Sequence, residues 1–323
     1  MMNGVKLLKR VFIIEGVINM HRTGQVNRPP TEADVPLLEV TYGCSWNKCS
    51  FCTMYDETMF GVSSLEDIRE DLRELKQAHP EGIKRIFLFN GDSFTLSSTK
   101  LIEIGELIHD YFPDIECISC YASILTLKNK SVSQLEQLSI LKFNDLYIGI
   151  ESADDYVLSL MNKGYDSNDV YECLDKLQKV GMCYNALIML GAGGVEHSKD
   201  HVQKTIKLLN TYKPHIFSPL STTVEEGSAL QEYVLDDSFH VLTERQMVEE
   251  ELEFLENVDF GDDSYFFGNH HYNLIPASGY FRHKQFIIDY IVEELERIGD
   301  EKPALLDSKF NTFAKKHGGF LFL

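Results

Sequence analysis

Between residues 37 and 219 the chain alternates short apolar runs with longer amphipathic ones, and few folds accept that rhythm. Strands are expected over 37–41, 85–89, 115–121, 146–150, 184–190 and 216–219. Helices are expected over 65–78, 99–112, 131–141, 154–161, 167–180 and 199–212. In the first of these, Leu65, Ile68, Leu72 and Leu75 recur at helical spacing. Ser131 and Ser133 are candidate caps for the third. Strands alternating with helices imply βαβ units and a parallel sheet. Right-handed crossovers wind such a sheet one way, toward a barrel. Six repeats imply an α/β fold of the partial (β/α)6 TIM-type barrel kind.

The rhythm changes after about residue 240. Helices over 243–255 and 285–298 flank an irregular stretch rich in aromatics and histidines, which suggests a mainly helical C-terminal extension. The expected division is a lead-in over 1–33, a barrel core over 34–240 and an extension over 241–323. The apolar run 11–14 stops at Glu15, so it belongs to the mature protein and not to a signal peptide. No apolar run approaches the ~18 residues that span a bilayer.

The formal charge of -20 opposes binding to nucleic acid and to anionic lipid. The acidic positions Glu249, Glu250, Glu251, Glu253, Glu256, Asp259, Asp262 and Asp263 are expected to form a solvated face. Seven cysteines, an odd number in a chain of this size, fit reduced thiols in a cytoplasm better than a disulfide framework.

Three of those cysteines carry the strongest signal. The run Gly43-Cys44-Ser45-Trp46-Asn47-Lys48-Cys49-Ser50-Phe51-Cys52 follows the first expected strand and sets three thiols on one loop. Three soft ligands on one loop can grip a metal group at little loop-closure cost. A structural zinc would need a fourth ligand from elsewhere, such as Cys117 or Cys120. Thiols that merely pack would be unusual in this arrangement. An iron–sulfur cluster on three thiolates leaves one iron open to a small molecule.

Here the sequence resembles the radical S-adenosylmethionine (AdoMet) superfamily. Its usual motif is C-x3-C-x2-C after the first barrel strand, with an aromatic residue before the last cysteine. This chain has C-x4-C-x2-C, with Phe51 in the aromatic slot. The resemblance covers about residues 36–232. It implies a [4Fe–4S] cluster on Cys44, Cys49 and Cys52, with AdoMet on the open iron. It also implies AdoMet contacts from Phe51, from Asn90-Gly91-Asp92-Ser93 after the second strand, from Glu151 after the fourth, and from Ile188 and Gly191 about the fifth. Simpler roles exist for several of these: Asp92 or Ser93 as a helix cap, Glu151 as a partner of Lys163. Glu226-Gly227-Ser228 after the sixth strand matches a family habit at low specificity.

The implied reaction is reductive cleavage of AdoMet to a 5′-deoxyadenosyl radical, which takes hydrogen from a substrate. The electron source would be a low-potential ferredoxin or flavodoxin. A small molecule or a peptide suits this acidic chain better as substrate than nucleic acid does. No catalytic residue beyond the cluster is assigned. The competing class is a non-catalytic cluster or AdoMet binder acting as carrier, chaperone or redox sensor.

The other polar residues have plainer readings. Cys117 and Cys120 lie on an expected strand whose alternation points them to opposite faces. Cys173 and Cys183 are expected to be buried. His197 and His215 take structural roles, and Trp46 anchors the cysteine loop. Tyr121, His270 and His271 are candidates for the substrate side.

Overall fold

In the computed structural model, residues 20–298 are described, so the 11–14 run lies outside them. The strands are β1 (Leu37–Glu39), β2 (Thr41–Tyr42), β3 (Gly61–Val62), β4 (Arg85–Phe89), β5 (Cys117–Ala122), β6 (Phe143–Glu151), β7 (Cys183–Leu190), β8 (Ile216–Ser221), β9 (Tyr265–Phe267) and β10 (Ser278–Tyr280). The helices are α1 (Leu65–Ala78), α2 (Ser98–Tyr111), α3 (Ile124–Lys128), α4 (Val132–Ile140), α5 (Asp155–Leu160), α6 (Ser167–Val180), α7 (Gly194–Tyr212), α8 (Ala229–Leu235), α9 (Glu244–Asn257) and α10 (Lys284–Ile298).

One sheet takes the order β1-β4-β5-β6-β7-β8-β9-β10. It is parallel from β1 through β9, and β10 closes it antiparallel to β9. The α/β partial barrel is therefore present, with helices in the C-terminal part. The sheet carries more strands than the sequence suggested. The aromatic stretch 265–267 pairs with β8 as a seventh parallel strand, so α9 and β9 continue the winding. Phe217, Phe254 and Phe266 bury together there, and that burial draws the segment into the sheet.

Alternation divides the strand residues between two sides. Ile86, Leu88, Ile118, Cys120, Ala186 and Ile188 join the helices in the main core. Phe87, Phe89, Tyr121, Tyr147 and Leu187 pack together on the inner side with Leu37. Phe87 on β4 meets Tyr147 on β6 across β5, with ring centroids 5.8 Å apart. Cys117 and Cys120 do face opposite ways.

The barrel base is polar. The Arg85 guanidinium is bound by both oxygens of Glu32 and reaches Asp145 Oδ2 at 2.6 Å. It also donates to Cys117 Sγ at 2.9 Å. Tyr147 Oη donates to Glu32 at 2.9 Å and Asn185 Nδ2 to Asp145 at 2.8 Å. Buried charges persist when paired and hydrogen-bonded in this way. Glu32 belongs to the segment before β1, so that segment is locked beneath the barrel.

Helix starts follow local chemistry. Ser131 caps α4 in a reciprocal box with Gln134, so Ser131 and not Ser133 is the cap. Ser97 caps α2, which leaves Asp92 and Ser93 outside that role. Helix α7 begins at Gly194, five residues before the expected start. Cys183 is exposed at the strand's first position, whereas Cys173 is buried as expected. Glu250 and Glu251 are buried with 4% and 1% exposure, so the acidic stretch is not one solvated face. Helix α9 turns those two carboxylates inward, where its other buried residues meet the sheet.

Candidate active site

The cysteine loop is docked on the end of α5. Ser50 donates its backbone N–H to Met161 O at 3.1 Å and its hydroxyl to Leu160 O at 2.7 Å. Trp46 Nε1 donates to Asn162 O at 2.8 Å, and Asn162 Nδ2 donates back to Lys48 O at 2.7 Å. Gly164, at φ +75°, sits under the Trp46 ring, where a Cβ would come within 2.6 Å of ring carbon. Trp46 is thus the loop anchor that the sequence suggested. These bonds hold the longer C-x4-C arc in one conformation.

The Cys44, Cys49 and Cys52 thiols are all half-buried. Burial pushes Cys49 up to about 11, against the nearby Lys163 ammonium, and the other two thiols add to the rise. Burial raises Cys52 as well, against a bond from the Met54 backbone. A loop in this state holds protons that a metal group displaces on binding. Among the described residues, no three His, Cys, Asp or Glu side chains are grouped to hold a single ion. Three thiols on one loop can each bind a different iron of a cluster. The donor set therefore fits a [4Fe–4S] group.

The turn after β4 touches this loop through backbone. Asn90 and Gly91 have φ of +70° and +20°, and a Cβ on Gly91 would lie 2.0 Å from Gly43 O. Tyr55 Oη accepts from Gly91 N at 2.8 Å and from Asn27 Nδ2 at 2.9 Å. Asn90 Oδ1 accepts from Asn27 N at 3.1 Å. Asp92 is buried and accepts from Ser123 Oγ at 2.7 Å and Thr126 Oγ1 at 3.4 Å. Burial pushes its carboxyl up to about 6, against those two bonds. Ser93 Oγ donates to the Leu88 and Phe89 carbonyls. The Asp92 and Ser93 side chains thus brace the fold, and the turn meets the cysteine loop and Tyr55 through its backbone.

Glu151 ends β6 at φ +63°, where the register with β7 shifts. Its Oε1 meets Lys163 Nζ at 2.9 Å. Burial opposes the lysine charge, but Glu151, Tyr165 and Cys49 together outweigh it and hold Lys163 well above its usual range. The ammonium lies 5.7 Å from the Phe51 ring centre and 5.8 Å from that of Tyr165.

A cavity of about 410 Å³ opens beside these groups. Phe51, Cys52, Met54, Glu151, Leu187 and Met189 line it. So do Leu220 beside Met189, Ser221, Thr223, Glu225 and the run His270-His271-Tyr272. Burial pushes His270 down to about 3 and lowers His271. Asn273 fixes the histidine run by donating to Pro219 O and Gly268 O and accepting from Ser221 N at 2.9 Å.

The structure brings Phe51, Glu151, His270 and His271 to this cavity. Ile188 does not reach it with its side chain, which is buried among the helices; Leu187 and Met189 line it instead. Gly191, at φ +75°, faces α9: its N–H donates to Glu250 Oε2 at 2.6 Å and the Met247 side chain covers it. Burial pushes Glu250 up to about 7, against bonds from Ser198 and Gly191. Tyr121 lies in the inner aromatic layer, edge-on to Phe87 at 5.4 Å and to Tyr147 at 6.0 Å. Glu225, Tyr272 and Gln25 were not singled out from sequence, for they converge only through the fold.

Comparison with known proteins gives the fold a lineage. Residues 38–209 match the family model described as the Radical SAM superfamily. A curated relative, the uncharacterized methyltransferase PH0819 of Pyrococcus horikoshii, is 26% identical over 197 residues. That match takes in 60% of this chain and 40% of the relative, so the chain spans well under two thirds of its length. Among solved structures, methylornithine synthase (PylB) is 15% identical with a TM-score of 0.46, covering 84% of this chain and 83% of the other. The radical S-adenosylmethionine methyltransferase TsrM from Kitasatospora setae, solved with tryptophan and a SAM analogue, is 16% identical with a TM-score of 0.47. That similarity covers 57% of this chain and 35% of TsrM. The family model alone takes in more than half of the 323 residues, and on that match the chain belongs to the radical SAM superfamily, enzymes that work with a [4Fe–4S] cluster and S-adenosylmethionine.

Proposed function

We propose that this enzyme abstracts hydrogen from a small-molecule or peptide substrate bound in the cavity beside Cys52. The observation that carries the reading is that one cavity joins the cysteine loop and Glu151 to a separate polar wall from β8 and the His270 run. When bound, the cluster and AdoMet supply one-electron cleavage of a carbon–sulfur bond and the hydrogen abstraction that follows.

In this reading Cys44, Cys49 and Cys52 hold the cluster. The backbone of the Asn90–Ser93 turn, with Phe51 and Glu151, holds AdoMet. Lys163 holds Glu151 in place, so its carboxylate can accept hydrogen bonds from hydroxyls. Phe51, Leu187, Met189 and Leu220 give the cavity apolar walls that exclude water. A low-potential ferredoxin or flavodoxin would deliver the electron, in the cytoplasm. Among the described residues no helix is long and apolar enough to cross a membrane.

The test is anaerobic reconstitution with iron and sulfide, followed by AdoMet and dithionite, with products separated by chromatography. 5′-Deoxyadenosine that disappears in Cys49→Ala supports the reading. S-adenosylhomocysteine without 5′-deoxyadenosine would replace it with methyl transfer, the activity in the name of the Pyrococcus relative. Neither product from a fully loaded protein would sink it in favour of a carrier or sensor.

A further inference from the structure

The cavity has two carboxylates, and they are treated differently. Glu151 is neutralised by Lys163 at 2.9 Å. Glu225 has no lysine or arginine partner among the described residues. Its bonds are from Thr223 Oγ1 at 3.0 Å and Tyr272 Oη at 3.1 Å, and both go to Oε1. Its backbone carbonyl is fixed by Ser228 Oγ at 2.7 Å. The carboxylate is therefore held in place, with Oε2 left unbonded among the described residues.

The neighbouring imidazoles do not supply the missing charge. His270 and His271 pack at a tilt against Tyr272, the two histidine centroids lying 5.1 and 4.0 Å from that of the tyrosine. Burial keeps both rings neutral near pH 7. A neutral imidazole offers one acceptor nitrogen, and Ser221 and Thr223 add hydroxyl oxygens. An anionic group here would meet the Glu225 carboxylate and a chain of charge -20. An ammonium group carries three donors and one positive charge, and it finds both complements on this wall.

We propose that the substrate is an amine, and that Glu225 receives its protonated nitrogen while Tyr272 and Thr223 hold the carboxylate in position. The proposal rests on the cavity being the active site, as above. It assigns Glu225 a role in substrate choice, with the wall formed by 220–225 and 270–272 as the recognition surface.

Three probes of one shape test this: benzylamine, benzyl alcohol and benzoate, positive, neutral and negative. Each is titrated calorimetrically into the protein loaded with cluster and AdoMet. Benzylamine should bind about tenfold tighter than benzyl alcohol, a difference of about 1.4 kcal/mol, and benzoate should bind weakest. Glu225→Gln should erase the benzylamine advantage, and Glu225→Asp should restore part of it. Equal binding of all three probes, a lead for benzoate, or an advantage that survives Glu225→Gln would overturn the proposal. The wild-type ranking is decisive even if no variant folds. The two readings separate cleanly: 5′-deoxyadenosine without probe ranking keeps the enzyme and removes the amine, whereas ranking without 5′-deoxyadenosine does the reverse.

Discussion

Lys163 Nζ sits 2.9 Å from Glu151 Oε1, and the pair lies between the cysteine loop and the end of β6. Both side chains are about nine-tenths buried. Glu151 keeps a left-handed backbone at φ +63°, which a side-chain residue holds only when its surroundings fix it. Lys163→Met would leave that carboxylate buried and unpaired. It should cost about 3 kcal/mol in urea denaturation, and the double variant with Glu151→Gln should recover part of that loss. A single variant as stable as wild type would show that the pair does not hold the bulge.

Iron content should depend on position and not on the number of thiols. Alanine at Cys44, Cys49 or Cys52 should reduce iron and sulfide after reconstitution to background. Alanine at Cys117, which accepts from Arg85 at the barrel base, should leave both at the wild-type level. Inductively coupled plasma analysis of the four proteins decides it; iron lost with Cys117 would mean that a base thiol joins the metal site.

The contact between Gly91 and Gly43 has no room for a methyl group. In Gly91→Ala the new carbon would start 2.0 Å from the Gly43 carbonyl oxygen, so one of the two turns must move. The cost should exceed about 2 kcal/mol, and iron loading should fall because the displaced turn carries Cys44. Normal melting and normal iron together would disprove this close approach.

Glu251 is 1% exposed, with Oε1 unbonded, and burial pushes it up to about 8 from 4.5. The folded chain then keeps a proton that the unfolded chain releases above about pH 4.5. Its contribution to stability is full below that pH and is lost as pH rises through about 8. Glu251→Gln cannot ionise, so its melting temperature should gain on wild type from pH 5 to about pH 8 and level off above that. Parallel melting curves across that range would show that Glu251 is already charged when folded.

Periodicity made the barrel legible because sheet and helix bury faces of different period, as 65–78 and 184–190 show. The cysteine loop was legible because its ligands are close in sequence. What failed was whatever depends on distant segments meeting. Glu250 and Glu251 looked like surface charges because nothing local shows that α9 covers the Gly191 turn. The stretch 265–267 looked irregular because its strand partner, β8, lies 49 residues earlier at Ile216–Tyr265. Ile188 was assigned by motif position, whereas strand parity turned its side chain outward and gave the cavity Leu187 and Met189. Glu225 and Tyr272 meet across 47 residues, and no spacing rule links them.

The family match ends at residue 209, yet half the cavity lies beyond it. Cys52, Phe51, Glu151, Leu187 and Met189 fall inside the shared span, while Ser221, Glu225, His270 and Tyr272 fall outside it. The stretch after β8 is still bonded to the cysteine loop, for Leu230 N donates to Ser50 O at 2.7 Å. On the reading proposed above, cofactor chemistry and substrate choice are written in different stretches of this gene.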